Sequence, residues 1–136
     1  MTRTHVTTSV VRSVATSVAT LAAAGLLTSA TAHANDGDVE RTGPCSSFGR
    51  YDLKLSPENR GIEVEFEVDV NRSGQRYRVK MFHNGRRFEN GVYRTRGRSG
   101  SFTVRDVEPY RAGRDRFRVR AVRLGGGQRC VGRAQF

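Results

Sequence analysis

Apolar and polar residues alternate along most of the chain after residue 50, in short runs separated by Gly, Asn and Pro. Period-two alternation places successive side chains on opposite faces of a strand, so this pattern predicts β-structure. The clearest run is residues 61–70, in which Ile, Val and Phe share one face and four acidic residues share the other. No segment beyond residue 34 has the 3.6-residue periodicity of an amphipathic helix.

Seven runs of this kind are recognisable, and short strands at such spacing are typical of a β-sandwich. The predicted strands lie at residues 51–55, 61–70, 77–81, 87–93, 100–105, 116–121 and 128–136. We therefore expect an all-β domain, a β-sandwich, over residues 44–136.

The connection between the second and third predicted strands leaves two geometries open. A hairpin across residues 71–74 would place the acids of one strand opposite cations of the next, beginning with Asp69 opposite Arg76. An arch would instead carry the third strand to a facing sheet, and alternation does not separate the two. In either case the acidic ladder is better explained as a solvated face than as a cation site.

The first 34 residues have the composition of a secretory signal peptide. Two arginines and an apolar run at residues 14–27 precede the small-residue sequence Ala32-His33-Ala34, and we predict a cleavable signal helix over residues 1–34. A transmembrane anchor would need about 20 strongly apolar residues, whereas this run contains Thr, Ser and Gly. We expect a secreted, extracellular chain without a transmembrane anchor, in which residues 35–43 form a flexible N-terminal arm.

Two cysteines, Cys45 and Cys130, lie in the predicted mature chain. In an exported protein an isolated pair is most simply a disulfide; two thiols with a redox or metal role are the alternative, but no C-x-x-C motif is present. Closing a loop of about 85 residues contributes roughly 4–5 kcal/mol in the chain-entropy model. Cys45 precedes the first predicted strand and Cys130 lies in the last, so the bridge would join the two ends of the domain.

The charge of the chain is strongly basic and unevenly distributed. The formal net charge is +11, and the leader holds two of the 24 basic residues and none of the 13 acidic ones, which leaves +9. Residues 35–70 carry nine acids and four bases, whereas residues 71–136 carry four acids and eighteen bases. Such a domain attracts polyanions, for example anionic wall polymers, and binds nucleic acid only non-specifically.

Arginines are concentrated in one connection and along one strand of the basic half. The candidate anion-binding residues are Arg94, Arg96, Arg98, Arg114, Arg116, Arg118 and Arg120. If the connection and the strand lie on one side, they form a positive patch that can hold phosphate-bearing polymers. The alternative is an arginine face that is merely solvated, or that is paired internally with the acidic ladder.

The sequence offers little catalytic chemistry. His83 is the one histidine beyond the predicted leader, and it lies beside an Asn-Gly turn, where an exposed histidine is the common case and partial burial the alternative. A Ser-His-Asp site would have to use it, and the His and Cys content is too low for a metal cluster. We expect no catalytic residue, no metal and no cofactor, and therefore no enzyme.

Five short motifs of the mature chain are distinctive. They are G-P-C-S at residues 43–46, I-E-V-E-F-E-V-D at 62–69, G-Q-R-Y-R-V at 74–79, H-N-G at 83–85 and C-V-G-R-A at 130–134. Together with the leader they resemble a group of small exported actinobacterial proteins. The resemblance implies an immunoglobulin-like or fibronectin-III-like β-sandwich, and it carries over no catalytic or binding residue.

The function expected from these features is binding. We expect a secreted module, monomeric or weakly associating, that associates with anionic cell-wall or extracellular polymers through its arginine-rich face. The alternative is a protein-binding or protease-inhibitor-like module that contacts another secreted protein through the exposed loop at residues 94–100.

Overall fold

The computed structural model describes residues 37–136, so the predicted signal peptide at 1–34 lies outside the described residues, as do Asn35 and Asp36. Within residues 37–136 the chain forms eight strands and no helix. The strands are β1 (Val39–Pro44), β2 (Arg50–Glu58), β3 (Gly61–Asp69), β4 (Arg76–His83), β5 (Arg86–Arg94), β6 (Ser101–Glu108), β7 (Arg116–Arg123) and β8 (Arg129–Gln135). The all-β prediction is confirmed for this part of the chain.

The strands form two antiparallel sheets of four strands each. Sheet A has the order β1-β2-β3-β6, and sheet B has the order β5-β4-β7-β8. Aromatic side chains of the two sheets are in contact: the ring of Phe102 in sheet A lies 5.5 Å from that of Tyr77 and 5.8 Å from that of Tyr93 in sheet B. The architecture is therefore that of a β-sandwich.

Period-two alternation determines the core between the sheets, as predicted. The inward residues of β3 and β4, which belong to different sheets, are 0 % exposed. They are Ile62, Val64, Phe66 and Val68 in β3, and Tyr77, Val79 and Met81 in β4. Full burial of one such side chain stabilises the fold by roughly 1.5–3 kcal/mol. A register slip of one residue would replace these side chains in the core with charged ones, so the register is strongly specified.

The chain crosses from sheet A to sheet B between β3 and β4, so the connection is the arch and not the hairpin. Strand β3 pairs with β2 and β6, whereas β4 pairs with β5 and β7. Asp69 accordingly lies opposite Arg50 and Ser101, not opposite Arg76. The backbone N–H of Asn71 donates to Asp69 Oδ1 at 3.1 Å, and its φ of 54° turns the chain out of β3.

Strand β1 corrects the prediction of a flexible arm at residues 35–43 for its part from residue 39 onward; Asn35 and Asp36 lie outside the described residues. Val39–Pro44 pairs antiparallel with β2, and Val39 packs against the core. The segment shows no apolar alternation, but an edge strand is held by main-chain hydrogen bonds, which do not depend on a side-chain pattern. Asp38, directly before the strand, adds a 2.8 Å ion pair to Lys54 of β2.

The predicted disulfide is present. The sulfur atoms of Cys45 and Cys130 lie at bonding distance, 1.98 Å, and the Cα atoms are 4.3 Å apart. Cys45 directly follows β1 and Cys130 lies in β8, so the bond joins an edge strand of sheet A to an edge strand of sheet B. Both residues are buried at the rim of the core.

The connections lie at two opposite ends of the sandwich. The loop end contains residues 45–49, 70–75, 95–100 and 124–128, and backbone hydrogen bonds such as Leu124 N–H to Arg76 O (2.8 Å) hold these segments to neighbouring strands. The histidine end contains residues 84–85 and 109–115, next to the last residue of β4, His83.

Candidate functional site

The outward surface of sheet B, here called the basic face, carries ten cationic side chains. They are Arg76, Arg78 and Lys80 of β4, Arg87 and Arg94 of β5, Arg116, Arg118 and Arg120 of β7, and Arg129 and Arg133 of β8. They alternate with inward residues, so each strand places its charges on the same side. Adjacent strands bring these columns side by side across the sheet.

No acidic residue occupies an outward position of sheet B. The four strands contain one acid, Glu89 of β5, which lies opposite Met81 on the inward side. The Tyr93 O–H donates to Glu89 Oε1 at 2.8 Å, and burial together with this carboxylate raises the pKa of Tyr93 to about 12. The acid that could have balanced the basic face is therefore directed into the domain.

The cations of the basic face form no ion pair with the described residues: within residues 37–136, none of the ten has a carboxylate oxygen within 4.0 Å. Arg118 instead packs on an aromatic ring: its guanidinium carbon lies 4.4 Å from the ring centroid of Phe82, in the geometry of a cation–π contact. These side chains are available for an anionic ligand.

Two open depressions lie on the basic face, with volumes of about 510 and 580 Å³. Phe82, Arg118 and Arg133 line both, so the Phe82–Arg118 stack separates two basic hollows. Arg116 and Gln135 line the first; Lys80, Arg120, Arg129 and Val131 line the second. Arg41 of β1 also lines the first hollow, and in both hollows cations lie beside the ring of Phe82.

The structure separates the seven predicted anion-binding residues into three groups. Arg94, Arg116, Arg118 and Arg120 lie on the basic face. Arg96 and Arg98 lie in the connection at the loop end, and Arg114 lies in the connection at the histidine end. Of the residues predicted to form one positive patch, the structure brings Arg94 together with Arg116, Arg118 and Arg120 on one sheet surface. Arg96, Arg98 and Arg114 lie beyond the edges of this surface.

The loop at residues 94–100 is held by its buried residue Thr95, which is 0 % exposed. The Thr95 hydroxyl donates to Arg72 O at 2.6 Å and accepts from Gln75 N–H at 2.9 Å. Reciprocal backbone hydrogen bonds between Arg96 and Ser101 then close a short turn. The exposed tip is residues 97–99, with Arg98 at its centre.

Sequence reasoning missed six cations of the basic face as site residues: Arg76, Arg78, Lys80, Arg87, Arg129 and Arg133. Their signal was present, because β4 and β8 show the same alternation of charged and buried residues as β7. What the alternation does not contain is the pairing of β4 and β8 on either side of β7.

The outward surface of sheet A, here called the acidic face, carries seven acids and three bases. The acids are Glu40, Asp52, Glu58, Glu63, Glu65, Glu67 and Asp69, and the bases are Arg50, Lys54 and Arg105. Two of the bases form ion pairs, Lys54 with Asp38 at 2.8 Å and Arg105 with Glu65 at 2.6 Å. The outward surfaces of sheet A and sheet B point in opposite directions. The basic face therefore does not pair with this acidic ladder within one molecule.

Some ionisable groups on and beside the acidic face have shifted pKa values, and the direction of each shift depends on whether the group has a partner of opposite charge. The hydrogen bond to Lys54 lowers the pKa of Asp38, and the hydrogen bond to Glu65 raises the pKa of Arg105. In contrast, burial and the nearby charge of Glu40 raise the pKa of Asp52. Asp52 Oδ1 is buried and has no hydrogen-bond partner among the described residues.

His83 is fully buried, so the expectation of an exposed turn histidine is wrong. The Asn-Gly turn is present, with φ of 47° at Asn84 and 84° at Gly85, but the His83 side chain is 0 % exposed. Its ring stacks on Phe117 with centroids 4.3 Å apart. The inward parity of β4 outweighs the proximity of the turn, because His83 follows Met81 on the core side.

His83, Glu108, Arg111 and Asp115 form a hydrogen-bonded group, here called the His83 cluster, in which His83 and Asp115 are buried and Glu108 and Arg111 are half-buried. His83 Nδ1 lies 3.0 Å from Arg111 Nε and 3.1 Å from Glu108 Oε2. Nε2–H donates to Asp115 Oδ1 at 2.5 Å, and Arg111 Nη2 donates to Glu108 Oε2 at 3.1 Å. All polar partners of His83 among the described residues belong to this cluster, so no serine or cysteine is placed to be activated by it.

Residues 37–136 contain no group of three or more His, Cys, Asp or Glu side chains that could hold a metal ion. In the same part of the chain, no helix has the length and apolar character needed to cross a membrane. The chain matches no family model, no curated protein and no solved structure.

Proposed function

We propose that this chain is an exported, non-enzymatic binding module that holds anionic cell-wall or extracellular polymers on its basic face. The observation that carries the proposal is the set of ten outward cations on sheet B, with no outward acid beside them and no ion pair to a described carboxylate. A solvated surface kept only for solubility would mix both signs, as the acidic face does.

The shape of the basic face suits a linear polymer better than a compact ligand. Alternate residues of a strand lie about 6.8 Å apart, and neighbouring strands about 4.8 Å apart, so the cations form a two-dimensional array. A polymer lying on it would contact several guanidinium groups at once and release several counterions, which gives binding a steep dependence on salt. Arginine forks also bind phosphate oxygens in pairs.

The fold part of the proposal is an immunoglobulin-like or fibronectin-III-like sandwich. If β2, β3, β4 and β5 correspond to strands A, B, C and C′, and β6, β7 and β8 to E, F and G, the sheets have the orders A-B-E and C′-C-F-G. These neighbour relations are those of immunoglobulin-type sheets, and β1 is an additional edge strand. The strand order supports this assignment.

Secretion and a binding role are supported by two further features. The Cys45–Cys130 bond is compatible with folding in an oxidising, extracellular compartment. The buried His83 is occupied by hydrogen bonds to Arg111 and Asp115, which supports a structural role for this histidine rather than a catalytic one.

A second candidate function uses the loop at residues 94–100, whose base is fixed by the hydrogen bonds of Thr95. Its tip presents Arg98 at the loop end. A preorganised loop with an exposed arginine could bind another secreted protein, including a protease that prefers basic residues. The variant Arg98→Ala separates the two candidate functions, because it removes the arginine side chain at the tip of the loop and leaves the basic face intact.

The test of polymer binding is retention on immobilised heparin and on purified anionic wall polymer. We expect the protein to stay bound at the physiological ionic strength of about 0.15 M. The variant Arg118→Gln/Arg120→Gln should elute at lower salt. The slope of log K against log salt should lose roughly 0.7–0.9 for each phosphate contact removed.

The matched control is Arg50→Gln/Arg60→Gln, which makes the same change in net charge. Arg50 lies on the acidic face and Arg60 in the turn between β2 and β3, so both positions are outside the basic face. We expect its elution to follow the unmodified protein closely. Equal losses in the two double variants would show that net charge alone, and not the basic face, governs retention. Elution of the unmodified protein below physiological salt would overturn the proposal.

A further inference from the structure

The two outward surfaces of the sandwich have opposite charge and lie on opposite sides of the same molecule. The basic face has ten cations and no acid, whereas the acidic face has seven acids and three bases. Each copy of the chain therefore carries both halves of a complementary pair of surfaces. They cannot meet within one molecule, because the core separates them.

The acidic face has acids without partners. Lys54 and Arg105 are occupied by Asp38 and Glu65, and none of Glu63, Glu67 and Glu40 has a cationic nitrogen within 4.0 Å among residues 37–136. Burial, and after it the negative charge of the nearby Glu40, raises the pKa of Asp52. An arriving cationic surface would relieve this repulsion.

The charges on the two surfaces have the same spacing. The acids of β3 occupy alternate positions from Glu63 to Asp69, and the arginines of β7 occupy alternate positions from Arg116 to Arg120. Both columns therefore repeat at about 6.8 Å, and both belong to interior strands of their sheets. A β3 column of one copy can face a β7 column of another with several charges in step.

We propose that copies of this chain associate head to tail, with the acidic face of one copy on the basic face of the next. The contact is heterologous, since two different surfaces meet, so it does not close into a two-fold dimer and continues as an open chain of copies. Exposed ion pairs are screened by salt, so the association is weak and strongest at low ionic strength. It does not depend on polymer binding, but a bound polymer would compete for the basic face.

The first test is sedimentation velocity of the purified protein over a range of concentrations. At low salt we expect the mean sedimentation coefficient to rise with concentration. In about 1 M salt, where the Debye length falls to about 3 Å, the rise should disappear. The rise of the sedimentation coefficient with concentration should also disappear in a variant in which the charges of either the acidic face or the basic face are neutralised.

The decisive experiment mixes two neutralised variants. In the first, Glu40→Gln/Glu63→Gln/Glu67→Gln removes charge from the acidic face; in the second, Arg116→Gln/Arg118→Gln/Arg120→Gln removes charge from the basic face. Each variant alone lacks one half of the contact and should sediment as a monomer. Their mixture retains one intact acidic face and one intact basic face, so it should form a one-to-one dimer that grows no further.

Three results separate this inference from the proposed function. The acidic-face variant should keep its heparin retention while losing self-association, which shows that the two properties are distinct. If the unmodified protein sediments as a monomer at all concentrations in low salt, or if the mixture forms no dimer, the head-to-tail contact is refuted. If the mixture forms larger species than a dimer, the contact uses other surfaces and the inference is also refuted.

Discussion

The basic face and the His83 cluster both concentrate charge, but they treat it in opposite ways. In the cluster, His83 is 0 % and Asp115 is 4 % exposed, and hydrogen bonds at 2.5–3.2 Å connect them to each other and to Arg111. On the basic face, ten cations face solvent without a carboxylate within 4.0 Å among the described residues.

The difference follows from the cost of desolvation. A buried charge without a partner costs several kcal/mol, so a cluster inside the fold must be complete. An exposed cation keeps its hydration and costs little, so it does not need a partner in the same molecule. The charges of the His83 cluster therefore serve the fold, whereas those of the basic face are available to a ligand.

The largest expected effect comes from breaking the His83 cluster. Asp115→Ala leaves His83 Nε2–H and the backbone N–H of Arg111 without their acceptor. We expect the free energy of unfolding to fall by about 3 kcal/mol, because removal of one partner strands buried polar groups. Urea unfolding followed by circular dichroism measures this loss.

The control for this variant is Asp115→Asn, which retains an acceptor oxygen and should lose much less stability. Both Asp115 variants should bind heparin like the unmodified protein when they are folded. A loss for Asp115→Ala within about 0.5 kcal/mol, the range of ordinary surface substitutions, would contradict the structural role of the cluster.

A smaller effect is expected from placing one acid on the basic face. Val131 is 39 % exposed and lies opposite Arg120, so Val131→Glu would neutralise part of the array and repel an anionic polymer. We expect the affinity for heparin to fall about fivefold, which corresponds to about 1 kcal/mol. Titration calorimetry at fixed salt measures it.

The matched control is the same substitution on the opposite surface. Val107 is 46 % exposed and lies opposite Glu63 in sheet A, so Val107→Glu changes the net charge equally without touching sheet B. Its heparin affinity should remain close to that of the unmodified protein. If both variants weaken binding to the same degree, the polymer does not select the basic face.

The smallest expected effect concerns Asp52, a charge that is neither well partnered nor well solvated. Its pKa is raised in the folded state above the ordinary value of 3.8, so its ionised form destabilises the fold at neutral pH. Asp52→Asn should therefore raise the free energy of unfolding at pH 7 by less than about 1 kcal/mol. Thermal unfolding at several pH values measures the gain.

The sign of the pH dependence gives this prediction its control. The gain should shrink as the pH falls through the raised pKa of Asp52 and should vanish below 3.8, where the carboxyl group is protonated in both the folded and the unfolded state. A gain that is constant across this range would show that the charge of Asp52 is not its cause.

Much of the fold was predictable from alternation, because a buried sheet face requires apolar residues at every second position. The run in β3 and the ladder in β7 indicated both their strands and their inward residues. Strand β1 was not predictable in this way, since Val39–Pro44 is held by main-chain hydrogen bonds to β2. The choice between hairpin and arch after β3 was also open, because either geometry preserves the alternation.

The candidate site was predictable only in part. Arg94, Arg116, Arg118 and Arg120 were identified from local patterns and lie together on the basic face, whereas Arg96, Arg98 and Arg114 share those patterns and do not lie on it. His83 was misjudged for a related reason: the turn beside it is a local signal, but its partners are Glu108 in β6 and Arg111 and Asp115 in the β6–β7 connection.

By itself, the sequence determined which side chains face inward and which face solvent, and that Cys45 and Cys130 could join the ends of the domain. It also determined that residues 35–70 are acidic and residues 71–136 basic. Only the tertiary structure decided that these charges occupy opposite surfaces, because the crossing after β3 distributes the strands between the sheets. Side-chain periodicity is a property of one strand, whereas the neighbours of that strand depend on contacts between residues far apart in the chain.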